Sequence, residues 1–137
     1  RRLHRTDYVC VMRAGHPLAD QELTLERYCA ARHVLVTVSG RAYAEVDEAL
    51  ALLGRRRRVV LTVNQYHTAG RVILQSDLLA VLPASFVAAS APGPVVVRPL
   101  PVDIGPLTVE MVWLARRDAD PAHRWLRDRV AGAARFS

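Results

Sequence analysis

Apolar residues fall along this chain in short runs, separated by stretches in which they recur at every third or fourth position. Short runs rich in Val and Leu signal strands, and the three-to-four spacing marks one face of a helix. The first run is Tyr8-Val9-Cys10-Val11-Met12, stopped by Gly15-His16-Pro17. Thr24 then offers an N-cap to a short helix reaching residue 31, with Leu25 and Tyr28 inward. A strand over 33–38 ends at Ser39-Gly40 and gives way to a helix over 42–53. Val46, Leu50 and Leu53 make its apolar stripe, and Gly54 sits where a left-handed C-cap belongs.

The alternation continues with a strand over 59–63 and a helix over 66–75 that carries Ala69, Val72 and Ile73 inward. A strand over 78–82 meets Pro83, well placed to open a short helix through 89. Ala91-Pro92-Gly93-Pro94 is a loop, 95–100 a strand, 101–106 a second loop, and 107–116 a longer strand. Asp120 as N-cap and Pro121 at the first helical position start a last helix, whose face is Ala122, Trp125, Leu126 and Val130. Strands alternating with helices of this length predict an α/β sandwich with a largely parallel sheet, which binds small ligands where loops leave the carboxyl ends of strands.

The 137 residues suit a single domain, and an apolar fraction of 51% suits one that buries a core. No stretch approaches the roughly 20 apolar residues of a spanning helix. The opening Arg1-Arg2-Leu3-His4-Arg5 has neither an initiator Met nor a following h-region, and reads as a cut inside a longer gene product. Cys10 and Cys29 are too isolated for a disulfide framework or metal site, and read as free thiols in a core.

The net charge of +6 raises the question of nucleic acid, but every basic residue is Arg, a bias that GC-rich coding produces without any binding surface. The one cluster, Arg55 to Arg58, follows the helix-ending Gly54. It is read either as a solvated helix end complementing the dipole or as a phosphate-binding patch. No aromatic residues interleave with it, and no helix-turn-helix precedes the first strand.

No catalytic constellation stands out. The five histidines lack the i, i+4 pairing of a helical zinc site, and no nucleophile elbow or glycine-rich phosphate loop is present. No cofactor, metal or enzymatic activity is expected. Two polar strand ends are more informative: Thr37-Val38-Ser39-Gly40 and Asn64-Gln65-Tyr66-His67. Each places hydroxyl or amide side chains beside the free N–H groups of a helix start, a combination suited to a small carboxylate or phenolic ligand. Plain helix capping is the other reading, and one residue can do both.

The order of motifs resembles the second lobe of the effector domain of LysR-type transcriptional regulators, from Tyr8 to Val130. The resemblance rests on the strand ending in His16-Pro17-Leu18-Ala19, on Leu23-Thr24-Leu25-Glu26, and on Val46-Asp47-Glu48-Ala49-Leu50 followed by Gly54. It extends to Ser76-Asp77-Leu78-Leu79-Ala80-Val81-Leu82-Pro83, to Val112-Trp113, and to Asp120-Pro121-Ala122-His123-Arg124-Trp125-Leu126-Arg127. It implies a type 2 periplasmic-binding-protein-like lobe, part of an incomplete two-lobe domain, with a mixed, largely parallel sheet. On that reading 8–116 is the second lobe with its crossover strands, 8–13 going out and 107–116 returning. Residues 117–137 form a helix that docks on a first lobe. The resemblance further implies a small-molecule effector, aromatic or carboxylate, and DNA contact only through a domain outside this chain. It also implies homo-oligomerisation and a cytoplasmic protein with no membrane contact. A solute-binding lobe of a transport-type protein is the alternative, and upstream sequence separates the two. A small α/β hydrolase or transferase is a third reading, for which no nucleophile–base pair is found.

Overall fold

A computed structural model describes residues 1–39, 44–90 and 93–134. In chain order its elements are β1 (Arg2–Thr6), β2 (Tyr8–Arg13), α1 (Leu25–Ala30), β3 (Arg32–Val36), α2 (Glu45–Leu52), β4 (Arg58–Val63), α3 (Tyr66–Leu74), β5 (Leu78–Pro83), α4 (Ala84–Ser90), β6 (Val95–Pro99), β7 (Leu107–Glu110), a 3-10 turn (Ala115–Arg117) and α5 (Pro121–Ala133). They form two compact units: residues 7–105, and residues 1–6 together with those from 106 onward.

The larger unit holds a five-stranded sheet in the order β4-β3-β5-β2-β6. β3 runs parallel to both β4 and β5, with α2 and α3 as the helical crossovers that parallel strands need. β2 is antiparallel to both its neighbours, β5 and β6. All strands but β2 therefore run one way, and the sheet is mixed and largely parallel as expected.

Period-two alternation along β2 divides the core. Cys10 and Met12 pack with Tyr28, Val46 and Leu50 of α1 and α2. Val11 packs on the other face with Ala69, Ile73 and Val87 of α3 and α4.

The local stop and start signals work as their chemistry predicts. Thr24 Oγ accepts the Arg27 N–H at 3.2 Å to cap α1. Gly54 takes φ +66°, and beside it Gly54 N–H donates to Ala51 O and Arg55 N–H to Leu50 O, the paired bonds of a Schellman motif. That wrap lifts Leu53 off the helix face, so it is 54% exposed and does not extend the stripe of Val46 and Leu50.

The smaller unit departs further from expectation. β1, a polar segment with no strand signal, pairs antiparallel with β7, Thr6 opposite Leu107 and Arg2 opposite Glu110. The strand expected over 107–116 is observed over Leu107–Glu110, and Met111 N–H donates to Arg1 O at 2.9 Å. α5 starts as predicted, with Asp120 accepting the N–H groups of Ala122 and His123. Its buried side chains are Arg127 and Ala131, and the stripe of Trp125, Leu126 and Val130, expected to dock on a first lobe outside this chain, is exposed. The Arg127 guanidinium donates to the carbonyls of Arg117 and Asp118 at 3.1 and 2.9 Å and lies 4.5 Å over the Trp113 ring. These charge-assisted contacts hold the opposite face of α5 in place.

Candidate functional site

The two polar junctions meet at the carboxyl edge of adjacent strands. β3 and β4 are parallel, Val36 lies opposite Val63, and Thr37 N–H donates to Val63 O at 2.9 Å. Thr37 and Ser39 share a hydroxyl–hydroxyl bond of 3.1 Å, while Val38, Asn64, Gln65 and His67 are exposed and Tyr66 is half-buried. Gly40 lies outside the described residues.

Among the described residues, neither helix start is capped by a side chain of these junctions. Ala44 is the N-cap of α2, with its N–H answered by Asp47, and Gln65, the N-cap of α3, makes no side-chain cap bond. The first N–H groups of α3 therefore open beside Asn64 and Gln65 without a side-chain acceptor at the cap, as a helix-terminus anion site requires.

Sequence reasoning missed further members of this edge. Because β2 is antiparallel, its first residue, Tyr8, lies opposite Pro83 at the carboxyl end of β5. Burial, then the neighbouring Tyr66 phenol and the Glu45 carboxylate, push the Tyr8 hydroxyl up to about 12, so it stays protonated. Phe86 on α4 sets its ring 5.5 Å from that of Tyr66 and edge-on to His67 at 4.8 Å. Only the direction of β2 reveals Tyr8, and helix–strand alternation does not encode that direction. A second concavity is lined by residues 19–23 and Arg98–Pro101, where β6, the edge strand opposite β4, comes to its end. There Arg98 is committed to the Ala19 carbonyl at 2.7 Å.

The arginine cluster is neither of the things expected of it as a whole. Arg55, Arg56 and Arg58 are exposed, but the Arg57 side chain is 2% exposed and grips Asp47 with two parallel bonds. Burial alone would raise the Asp47 carboxyl; the bonds from Arg57 and the Ala44 amide outweigh it and hold it below the ordinary carboxylate range. Among the described residues no group of three or more His, Cys, Asp or Glu could hold a metal ion, and no helix is long and apolar enough to cross a membrane.

Comparison with known proteins agrees with this architecture. The family model described as the LysR substrate binding domain matches residues 1–135. The chain is 35% identical over 128 residues to the HTH-type transcriptional activator NahR of Pseudomonas putida, covering 93% of this chain and 43% of that protein. It is 36% identical over 138 residues to the HTH-type transcriptional regulator SyrM of Rhizobium meliloti, covering 98% and 42%. The chain thus spans less than half the length of these curated relatives. The crystal structure of the regulatory domain of MexT, a transcriptional activator in Pseudomonas aeruginosa, superposes with a TM-score of 0.80 at 32% identity, covering 96% of this chain and 65% of that one.

Proposed function

This chain belongs to the LysR substrate-binding domain family, and we propose that it is the effector-sensing part of a LysR-type transcriptional regulator. Its type 2 periplasmic-binding-protein-like fold serves solute capture as well as sensing, but the relatives are named as HTH-type regulators, which favours sensing. Contact with DNA then belongs to a separate N-terminal domain of the regulator, which is cytoplasmic, homo-oligomeric and not an enzyme.

The observation that carries the site is the side-by-side placement of the two polar junctions on β3 and β4, next to the rings of Tyr66 and Phe86. Thr37, Val38, Ser39, Gly40, Asn64, Gln65, Tyr66 and His67 form the effector site, and Tyr8 and Phe86 join it. Hydroxyls, amides and the α3 N–H groups suit carboxylate or phenolic oxygens, and the aromatic side chains suit a planar ring.

The test is an amide-resolved NMR titration of the chain with benzoate, phenol and the hydroxybenzoates at millimolar concentration. Shifts are expected at Thr37, Ser39, Asn64 and Gln65. Ser39→Ala and Asn64→Ala should each weaken binding about five-fold, the equivalent of one hydrogen bond worth about 1 kcal/mol, with little change in melting temperature. Shifts confined to other parts of the sheet, or none, would refute the assignment.

A further inference from the structure

A pair of phenols crosses the edge of the sheet that carries the site. Tyr8, opposite Pro83 at that edge, lies on the face of β2 that also carries Cys10 and Met12, and these pack with Val46 and Leu50 of α2. Tyr66, the first residue of α3, packs on the other face with Ala69 and Ile73. The Tyr8 and Tyr66 hydroxyls nevertheless meet in a hydrogen bond, so the two side chains reach over the edge from opposite layers. One of their two protons is used between the oxygens, and the other is left to donate outward.

A carboxylate stands beside this pair. Glu45, the first residue of α2, is exposed, and its charge acts on the Tyr8 hydroxyl to oppose ionisation. That coupling places the start of α2 at the same end of the sheet as Tyr8 and the start of α3. The two helix starts differ in charge. The first turn of α2 carries Glu45, Asp47 and Glu48, whereas that of α3 has no acidic residue. An anion at the start of α3 meets N–H groups and the positive end of a helix dipole. A second anion at the phenol pair meets the like charge of Glu45, while an uncharged hydroxyl can donate to the pair or accept from it without that penalty.

We infer that Glu45 is a specificity-determining residue of the effector site: beside the Tyr8–Tyr66 pair it admits an uncharged hydroxyl and excludes a second anionic group, so that the effector carries one carboxylate, held at the start of α3. The inference rests on the site reading given above and adds a limit on charge. Hydroxybenzoates satisfy that limit and benzenedicarboxylates do not.

The experiment repeats the amide-resolved titration at neutral pH with benzoate, the hydroxybenzoates and the three benzenedicarboxylates. The unaltered chain is compared with Glu45→Gln, Glu48→Gln and Tyr8→Phe. Glu45 and Glu48 are both exposed, so either change removes one charge from α2 without disturbing the core. The unaltered chain should bind dicarboxylates at least about five-fold more weakly than benzoate. Glu45→Gln should tighten dicarboxylates about five-fold or more and leave benzoate within about two-fold, and the gain should shrink as salt is added. Glu48→Gln should leave every ligand within about two-fold. Tyr8→Phe should cost the tightest hydroxybenzoate about five-fold, the loss of one hydrogen bond, and benzoate less than about two-fold. No gain for dicarboxylates in Glu45→Gln, a gain shared equally by benzoate, or the same gain in Glu48→Gln overturns the inference. So does a Tyr8→Phe variant that treats hydroxybenzoate and benzoate alike. Each of these results leaves the site reading standing, because benzoate shifts at Thr37, Ser39, Asn64 and Gln65 test that reading separately. Absence of those shifts in the unaltered chain with every probe overturns the site reading, and this inference with it.

Discussion

His33 shows how much one buried side chain decides. It is fully buried on β3, edge-on to the Tyr28 ring at 4.5 Å, and its Nε2 lies 2.7 Å from the Tyr28 carbonyl. A carbonyl only accepts, so Nε2 holds the proton, and Nδ1 is left bare, buried and without a hydrogen-bond partner. Burial, then the Arg57 charge, lower its pKa from 6.5 to about 4. As pH falls, the unfolded chain takes up the proton first. The contribution to stability is therefore full above the unfolded value and is lost between about 6.5 and 4, amounting to roughly 3 kcal/mol in all. Urea midpoints measured across this window should fall more steeply for the unaltered chain than for His33→Gln, whose amide nitrogen can still donate to Tyr28. Parallel profiles would show that His33 does not titrate this way. None of this was legible in the sequence, where His33 and Arg57 are one histidine and one arginine among several. Their burial is created by contacts between α1, α2 and the segment before β4.

At the level of elements, what is local was readable and what is borrowed from a distant partner was not. Thr24, Gly54 and the Asp120-Pro121 pair act within a turn of their own position, and each ended or began its helix as its chemistry dictates. Gly54 carries a measurable share: at φ +66° an alanine is strained, and Gly54→Ala should cost about 1 kcal/mol in chemical denaturation. Nothing lies within 4 Å of an added Cβ there, so the loss is conformational rather than steric. A neutral result would mean that the turn relaxes into another cap. The pairing of β1 with β7, by contrast, joins segments far apart in the sequence, and Arg127 of α5 is held by carbonyls of the preceding turn. Apolar spacing carries no record of either.

For the whole molecule, the fold class and the pair of polar strand ends were legible because parallel βα units place their loops at one edge. Tyr8 and Phe86 were not, because the reversed direction of β2 comes from pairing across the sheet. The exposed face of α5 belongs to this scale too. Trp125, Leu126 and Val130 are 61%, 51% and 39% exposed, and covering each large side chain is worth about 1.5–3 kcal/mol. If the chain is homo-oligomeric, sedimentation should show mass rising with concentration, and Trp125→Glu with Leu126→Glu should return it to monomer. A monomer at every concentration without those changes would refute self-association. The pairing of β1 with β7 has a different consequence, one of timing. The larger unit is a continuous stretch enclosed within a discontinuous one, so on the ribosome Arg2–Thr6 emerges before 7–105 and cannot find its ladder until β7 has been made. Folding of the intervening unit brings the two ends within reach and reduces the closure entropy. The polarity that hid β1 from a reading of hydrophobic pattern is the polarity that keeps the edge of a two-stranded sheet from pairing with the wrong chain.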